Sequence, residues 1–341
     1  MNPMKGDLSV NRTARTLLAV MLCIALAVGM TACSQPSQPS GSTGTGTGTA
    51  PVKIRIGTLP TEDSLPLWVA ERDGLFAKAG IDVTITVFQS AQERDAALTA
   101  GAIDGMMGDL IAAASLRAGG IPVKVVTVML GAKASEGRFG IAVAPSSTVT
   151  TLKQLANVPV GTSSATIQEY VLDKLMEAAG VPDSQIKKEE VKKVPVRFEL
   201  LMSGKLKAAA LPEPFLSLAA KTGATIIADD TKGANISQTV LIFDQKFLDD
   251  ATNAGGVSKL LGVWDTAVGS INAAPDSFRA LLVDKARLPV PLKDVYAVNT
   301  YPTAQLPAPA DVQAVLDWMK GAGLLKTDVT YADLMWTAPA K

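Results

Sequence analysis

The sequence predicts an α/β protein of two lobes, each a mostly parallel sheet flanked by helices, with two hinge crossings between them. Three observations carry this. Short β-branched runs alternate with helical runs from Val52 onward, the order that builds parallel sheets with helices on both faces. The alternation starts again near Gly140. About 290 residues follow the low-complexity amino-terminal stretch, enough for two domains of ordinary size.

The chain opens with Lys5, Arg12 and Arg15 ahead of an apolar run over 17–30. That run is shorter than the roughly 20 residues a spanning helix needs, and it fits a secretory signal. Met30-Thr31-Ala32-Cys33 resembles the lipobox of bacterial lipoproteins. The resemblance implies a signal peptide over 1–32, cleavage, and a lipid anchor on Cys33. Residues 33–50 carry no charge and no apolar side chain able to hold a core, so they are expected to be a flexible tether.

Removal of residues 1–32 takes Lys5, Arg12, Arg15 and Asp7 from 32 basic and 32 acidic residues, leaving 29 and 31, a net charge of −2. No basic excess points to nucleic acid. Cys23 leaves with the signal peptide, so the body has neither a disulfide framework nor a cysteine metal site. There is no histidine, which removes His-based triads and the usual zinc sites. No phosphate-loop or dinucleotide fingerprint is present, and no cofactor is expected.

The first strand, 52–57, alternates with period two. A loop over 58–63 leads to Ser64 as N-cap, with Pro66 in the first turn and Gly74 as the stop. A strand at 81–88, a helix at 92–100, a strand at 102–107, a helix at 110–117 and a strand at 123–129 follow. Residues 139–144 form a strand crossing to the second lobe. There the order is a short helix at 152–155, a strand at 158–161, and an amphipathic helix opened by the capping box Thr166-Ile167-Gln168-Glu169 and ended by Gly180. A charged strand at 186–194, a helix at 197–202, a strand at 208–211, a helix at 215–221 and a strand at 225–228 complete it. The strand 239–243 returns. Helices at 245–261, 264–273, 275–286 and 310–321 pack on the first sheet and hinge. Lobe 1 is therefore 51–139 plus 241–341, and lobe 2 is 140–240. The cleft lies at the carboxyl ends of the strands, where open α/β sheets bind ligands.

LPLWVAERDGLFAKAGIDVTI, ALTAGAIDGMMGDLIAAASLRAGG, LMSGKLKAAALPEPFLSLAAKTGA and LPAPADVQAVLDWMKGAGLL occur in that order between residues 53 and 336. The series resembles periplasmic-type substrate-binding proteins of ABC importers, in the branch for nitrate, taurine, aliphatic sulfonates and thiamine-pyrimidine precursors. The resemblance implies the periplasmic-binding-protein type 2 fold and a monomer, anchored outside the cell membrane, that presents a small solute to a permease and its ATPase. Enzymes on the same fold, pyrimidine synthases and a desulfinase, use a reactive histidine or cysteine in the cleft. The body has neither, so no enzyme is expected. A sensor with the same body is the other alternative.

The resemblance places ligand contacts on loops entering helix starts, where unpaired N–H groups and the helix dipole favour oxyanions. Ser64 with Leu65, and Ser90 with Gln92, open two such helices. Gly108, Asp109 and Leu110 follow a strand end, and Gly131 follows another. In the second lobe Ser163 and Ser164 are expected to face the cleft, with Thr166 as the structural cap. Arg138 and Arg197 either grip an anion bidentately or form surface salt bridges. Asp109 and Glu213 would meet an amine or ring N–H; Glu213 is alternatively a hinge latch. Phe215 and Trp68 either wall the site or pack in the core. The expected solute is a sulfonate- or taurine-like organic anion or zwitterion, then an aminopyrimidine, then nitrate or bicarbonate.

Overall fold

The computed structural model describes residues 50–288, 292 and 294–337; the signal segment, Cys33 and all of the tether before Ala50 lie outside them. In the first sheet β1 (Val52–Thr58) buries Ile54 and Ile56 and turns Lys53 and Arg55 outward, as its alternation predicts. It pairs in parallel with β2 (Ile81–Val87) on one side and β3 (Gly105–Asp109) on the other. Beyond β3 and β4 (Val123–Leu130), the chain leaves for the second sheet. That sheet holds β5 (Phe139–Val143), β6 (Pro159–Thr162), β7 (Lys187–Glu190), β8 (Ala208–Pro212) and β9 (Thr225–Asp229), in the order β7-β6-β8-β5-β9. The return strand β10 (Thr239–Asp244) inserts between β3 and β4, giving β2-β1-β3-β10-β4. Each crossing strand runs against both its neighbours: β10 is antiparallel to β3 and β4, and β5 to β8 and β9. The sheets are thus mixed, five strands each.

Helices α1 (Leu65–Arg72), α2 (Leu75–Lys78), α3 (Ala91–Thr99) and α4 (Leu110–Ala118) cover the first sheet. Helices α5 (Ile167–Ala178), α6 (Val194–Met202) and α7 (Phe215–Lys221) cover the second. The carboxyl-terminal part adds α8 (Gln245–Leu248), α9 (Ala251–Ala273), α10 (Arg279–Lys285), α11 (Pro309–Gly321) and α12 (Tyr331–Leu334). Among the described residues no helix is long and apolar enough to cross a membrane.

Several local expectations need correcting. The break expected between 261 and 264 is absent, because Leu260, Val263, Trp264 and Ala267 lie on one buried helical face and carry α9 straight through. The helix starts instead after Asp250, whose carboxylate accepts from the N–H groups of Thr252 and Asn253. The strand expected over 186–194 stops at Glu190, since Val194 and Pro195 already form the first turn of α6, where proline is tolerated. Ser64 is not a side-chain cap. A 3-10 turn, Glu62–Ser64, runs directly into α1, Ser64 is already helical at φ −84° and ψ −8°, and its hydroxyl donates to Leu59 O. The capping box at Thr166 does not close either: the Thr166 hydroxyl donates to Ser163 O, and Glu169 accepts from Ala165 N–H. Helix α12 was not foreseen; Thr330 and Asp333 cap it reciprocally.

Four apolar clusters fill the structure. One packs Ile54, Ile56, Trp68 and Trp264 between β1, α1 and α9. A second, within the second lobe, holds Ile141, Leu172 and Met176. The other two span the lobes. Ile167, Tyr170 and Val171 of α5 join Val312, Val315 and Leu316 of α11. Val283, Ala286, Leu288 and Leu292 join Leu211, Phe215 and Leu218 of the second lobe. Burial of each such aliphatic side chain contributes about 1.5–3 kcal/mol.

Candidate functional site

A narrow cavity lies between the lobes at the carboxyl ends of β1, β3 and β8. Its space, mouth included, is about 350 Å³. The first lobe contributes Leu59, Thr61, Asp63, Ala91, Arg94, Met107, Gly108, Asp109 and, on β10 of its sheet although before the expected return at 241, Thr239; the second contributes Thr166, Ile167, Gln168, Pro212 and, on β5 of its sheet although before the expected crossing at 140, Phe139.

Three of these side chains carry charge, and all three are buried. Arg94 is 1% exposed. Its Nε and Nη2 donate to Asp95 Oδ1 at 2.9 and 2.7 Å, but its Nη1 meets only the Met107 sulfur, at 3.6 Å. A thioether is a weak acceptor, so Arg94 keeps one donor edge for a better partner. Asp63 accepts from the Thr61 hydroxyl at 2.6 Å. Burial pushes its carboxyl up to about 6, against the opposing effects of the Thr61 hydrogen bond and the Arg94 charge. Burial likewise raises Asp109, opposed by the Arg94 charge and by the N–H groups of Ala112 and Ile167. The buried Thr239 hydroxyl lies beside Asp63 and, like Thr61, acts to hold its carboxyl down.

Behind the second-lobe wall lies Arg197, fully buried. Its Nη1 donates to Val191 O at 2.7 Å, its Nη2 donates to Gln168 Oε1, and its Nε has no partner. A guanidinium only donates, so Gln168 must turn its carbonyl oxygen toward Arg197 and its NH₂ away. Burial pulls the guanidinium down to about 9, with the Glu190 charge acting the other way. Among the described residues no carboxylate pairs with Arg197, and the surface salt bridge considered for it does not form.

The other expected contacts divide clearly. Gly108, Asp109 and Thr166 line the cavity. Gln92 and Ser163 bond each other across the lobes, Nε2 to Oγ at 3.1 Å. Ser90 is the N-cap of α3, accepting from Glu93 N–H. Ser64 and Leu65 are buried away from the lining, Leu65 in the first core. Leu110 faces a smaller gap beside Tyr170 and Asp311. Gly131 sits at φ +84° against Ser237, and its carbonyl accepts from Asn235. Ser164 is exposed and tied by its N–H and hydroxyl to Glu190, at 2.8 and 2.6 Å, while Thr166, at the N-cap position of α5, lines the cavity. Arg138 pairs with Asp229 at 2.9 Å and Glu213 at 3.5 Å, both in the second lobe. The Glu213 side chain holds Ser217 within its own lobe, and only its backbone carbonyl reaches across the hinge, accepting from Glu62 N–H at 3.3 Å. Phe215 and Trp68 are core residues; Phe215 also borders an apolar groove with Pro60 and Phe198.

Arg94, Asp63, Thr61, Gln168 and Thr239 were not singled out from the sequence. Arg94 lies in Gln92-Glu93-Arg94-Asp95, which reads as a solvated helix face. Asp63 and Thr61 lay within an expected contact loop but carried no distinguishing pattern.

No curated protein matches the sequence. The alkanesulfonate-binding protein SsuA from Xanthomonas axonopodis pv. citri, solved bound to MOPS, superposes with a TM-score of 0.71 at 18% identity, covering 84% of this chain and 98% of that one. The aliphatic sulphonate binding protein SsuA of Escherichia coli gives 0.68 at 19% identity over 84% and 98%. The nitrate-binding protein NrtA of Synechocystis PCC 6803 gives 0.61 at 15% over 85% and 92%. These likenesses show a shared fold, the two-lobed type 2 fold of periplasmic binding proteins. With residues 47–260 matching the model of the NMT1-like family, the chain belongs to that family.

Proposed function

We propose that the protein is the solute-binding component of an ABC importer, lipid-anchored through Cys33 on the outer side of the cell membrane, and that it captures a small zwitterion between its lobes. One observation carries the choice of solute: the cavity sets the donor edge of Arg94 among two buried carboxylates, Asp63 and Asp109. A solute with a sulfonate or carboxylate at one end and an amine at the other meets a partner at each. A purely anionic solute buries its charge beside two acids, at a cost its pairing with Arg94 does not offset. A taurine-like solute is therefore favoured over a plain alkanesulfonate. An aminopyrimidine is the second reading, since Asp63 and Asp109 suit an amine and a ring N–H.

Closure of the lobes adds second-lobe contacts, Gln168 among them, to those of the first, and ligand preference for the closed form supplies the population shift a permease reads. The body lacks the histidine or thiol on which enzymes of this fold depend, so binding without turnover is the expected behaviour.

Thermal unfolding with taurine, an alkanesulfonate and an aminopyrimidine tests this. At 100 times its dissociation constant the true class stabilises the protein by about 2.7 kcal/mol. Arg94→Met, similar in volume, should abolish the response to taurine while the protein still folds. Absence of any shift with all three classes, or product formation from one of them, removes the reading.

A further inference from the structure

Asp109 caps two helices that belong to different lobes. Its Oδ1 accepts from Ala112 N–H at 2.7 Å, closing the first turn of α4. Its Oδ2 accepts from Ile167 N–H at 3.2 Å, at the first residue of α5 in the opposite lobe. Helix α5 needs such a partner. It is twelve residues long, and its own N-cap residue, Thr166, supplies no side-chain acceptor because its hydroxyl donates to Ser163 O. Behind that turn sits Arg197, buried without a paired carboxylate and joined to the helix through Gln168. An uncapped helix start backed by a buried cation is a receptor for an oxyanion.

We infer that Asp109 is a built-in counter-anion: it fills the oxyanion position at the α5 start, bars that position to the anionic end of a solute, and latches the lobes together. This rests on the solute-binding reading and deepens it, because it names the residue that turns the cleft away from simple oxyanions. The geometry on the first-lobe side agrees. Asp109 is the β3 partner of Thr239 on β10, and Thr239, 2% exposed, lines the same cavity with its hydroxyl turned to Asp63. The polar groups of the first lobe thus stay together beside Asp109, while the helix start opposite is already taken.

The test uses sulfate as the probe, with chloride at matched ionic strength as control, on the wild type and two variants. Asp109→Ser keeps a short cap for α4 but cannot reach the other lobe. Asp109→Asn keeps the shape but has one acceptor oxygen for two N–H groups. In the wild type, sulfate should add no thermal stabilisation beyond chloride. Asp109→Ser should gain a saturable, sulfate-specific stabilisation that the wild type lacks over the same concentration range. By small-angle scattering both variants should be wider than the wild type without sulfate, and Asp109→Ser should contract when sulfate is added. If wild type and Asp109→Ser respond alike to sulfate, or if both variants scatter as the wild type does, the inference is overturned. Should Asp109→Ser fail to fold, Asp109→Asn still reports the latch, and a sulfate response in the wild type alone is enough to refute the occupancy. The solute titrations are separate: sulfate capture by Asp109→Ser without taurine binding by the wild type keeps the counter-anion and discards the zwitterion.

Discussion

Glu62 stands where the first loop meets the hinge. Tyr296 Oη donates to its Oε2, Asn299 Nδ2 to its Oε1 at 3.1 Å, and its own N–H donates to Glu213 O. Burial, then the nearby Glu213 charge, pushes its carboxyl from about 4.5 up to about 8. An acid raised on folding holds a proton that the unfolded chain releases, so its stabilising share is whole below the unfolded value and fades as pH rises through the folded one. Asp63 and Asp230, each pushed up to about 6 by burial, contribute the same sign in a lower window. Stability should therefore fall from about pH 4.5 to about pH 8, and Glu62→Gln should flatten the part above pH 6 in denaturant titrations. If the two proteins keep parallel curves there, Glu62 is not the group responsible. Gly131 makes a second residue-scale case. At φ +84° a Cβ would lie 2.6 Å from Ser237 O, so Gly131→Ala should cost about 1–3 kcal/mol, read as a lower urea midpoint at unchanged m-value. Its glycine was legible in the sequence as a site residue; its neighbours show a backbone requirement instead. The charged lining was hidden for the opposite reason. Arg94 looks like any helical arginine until β3 brings Met107 beside it and the second lobe closes the cavity over it.

Elements fared better than caps. Strands were legible as short apolar or alternating runs: β2 alternates, whereas β3, β5 and β8 are buried along their whole length. The helices begin after Ser64 and Thr166 as expected, but neither side chain caps, because each hydroxyl has a nearer use. The charged stretch 187–190 does pair as β7 with β6, fully exposed, but the proline two residues into α6 ended it early. The contact between α5 and α11 lies beyond any local pattern. There Tyr170 meets Trp318 edge to face with ring centroids 5.1 Å apart, and Trp318 Nε1 donates to Asp173 Oδ2 at 3.1 Å. Trp318→Ala removes both links between the lobes. It should widen the scattering envelope and weaken solute binding by about ten-fold, whereas Trp318→Phe, keeping the ring, should lose less. Equal affinities for all three proteins would exclude α11 from closure.

At the scale of the whole molecule, the two sheets and their crossings could be read from chain order alone, because each lobe completes its own βα units. What binds the lobes to each other could not. The bonds Gln92–Ser163, Asp109–Ile167 and Glu62–Glu213 join residues 58 to 151 positions apart, and no short motif encodes such distances. Helix α10 belongs to the first lobe by its place in the chain, and Leu282 packs there with Phe278. The very next residue, Val283, packs in the second lobe with Ala286 and Leu288. A door hung on two hinges swings freely about the line through them, but a third fastening set off that line permits only what its own fabric will yield. Any gape of this molecule must accordingly be taken up as sliding along the underside of Val283, Ala286 and Leu288, which makes a shallow yawn, and not a wide swing, its natural movement.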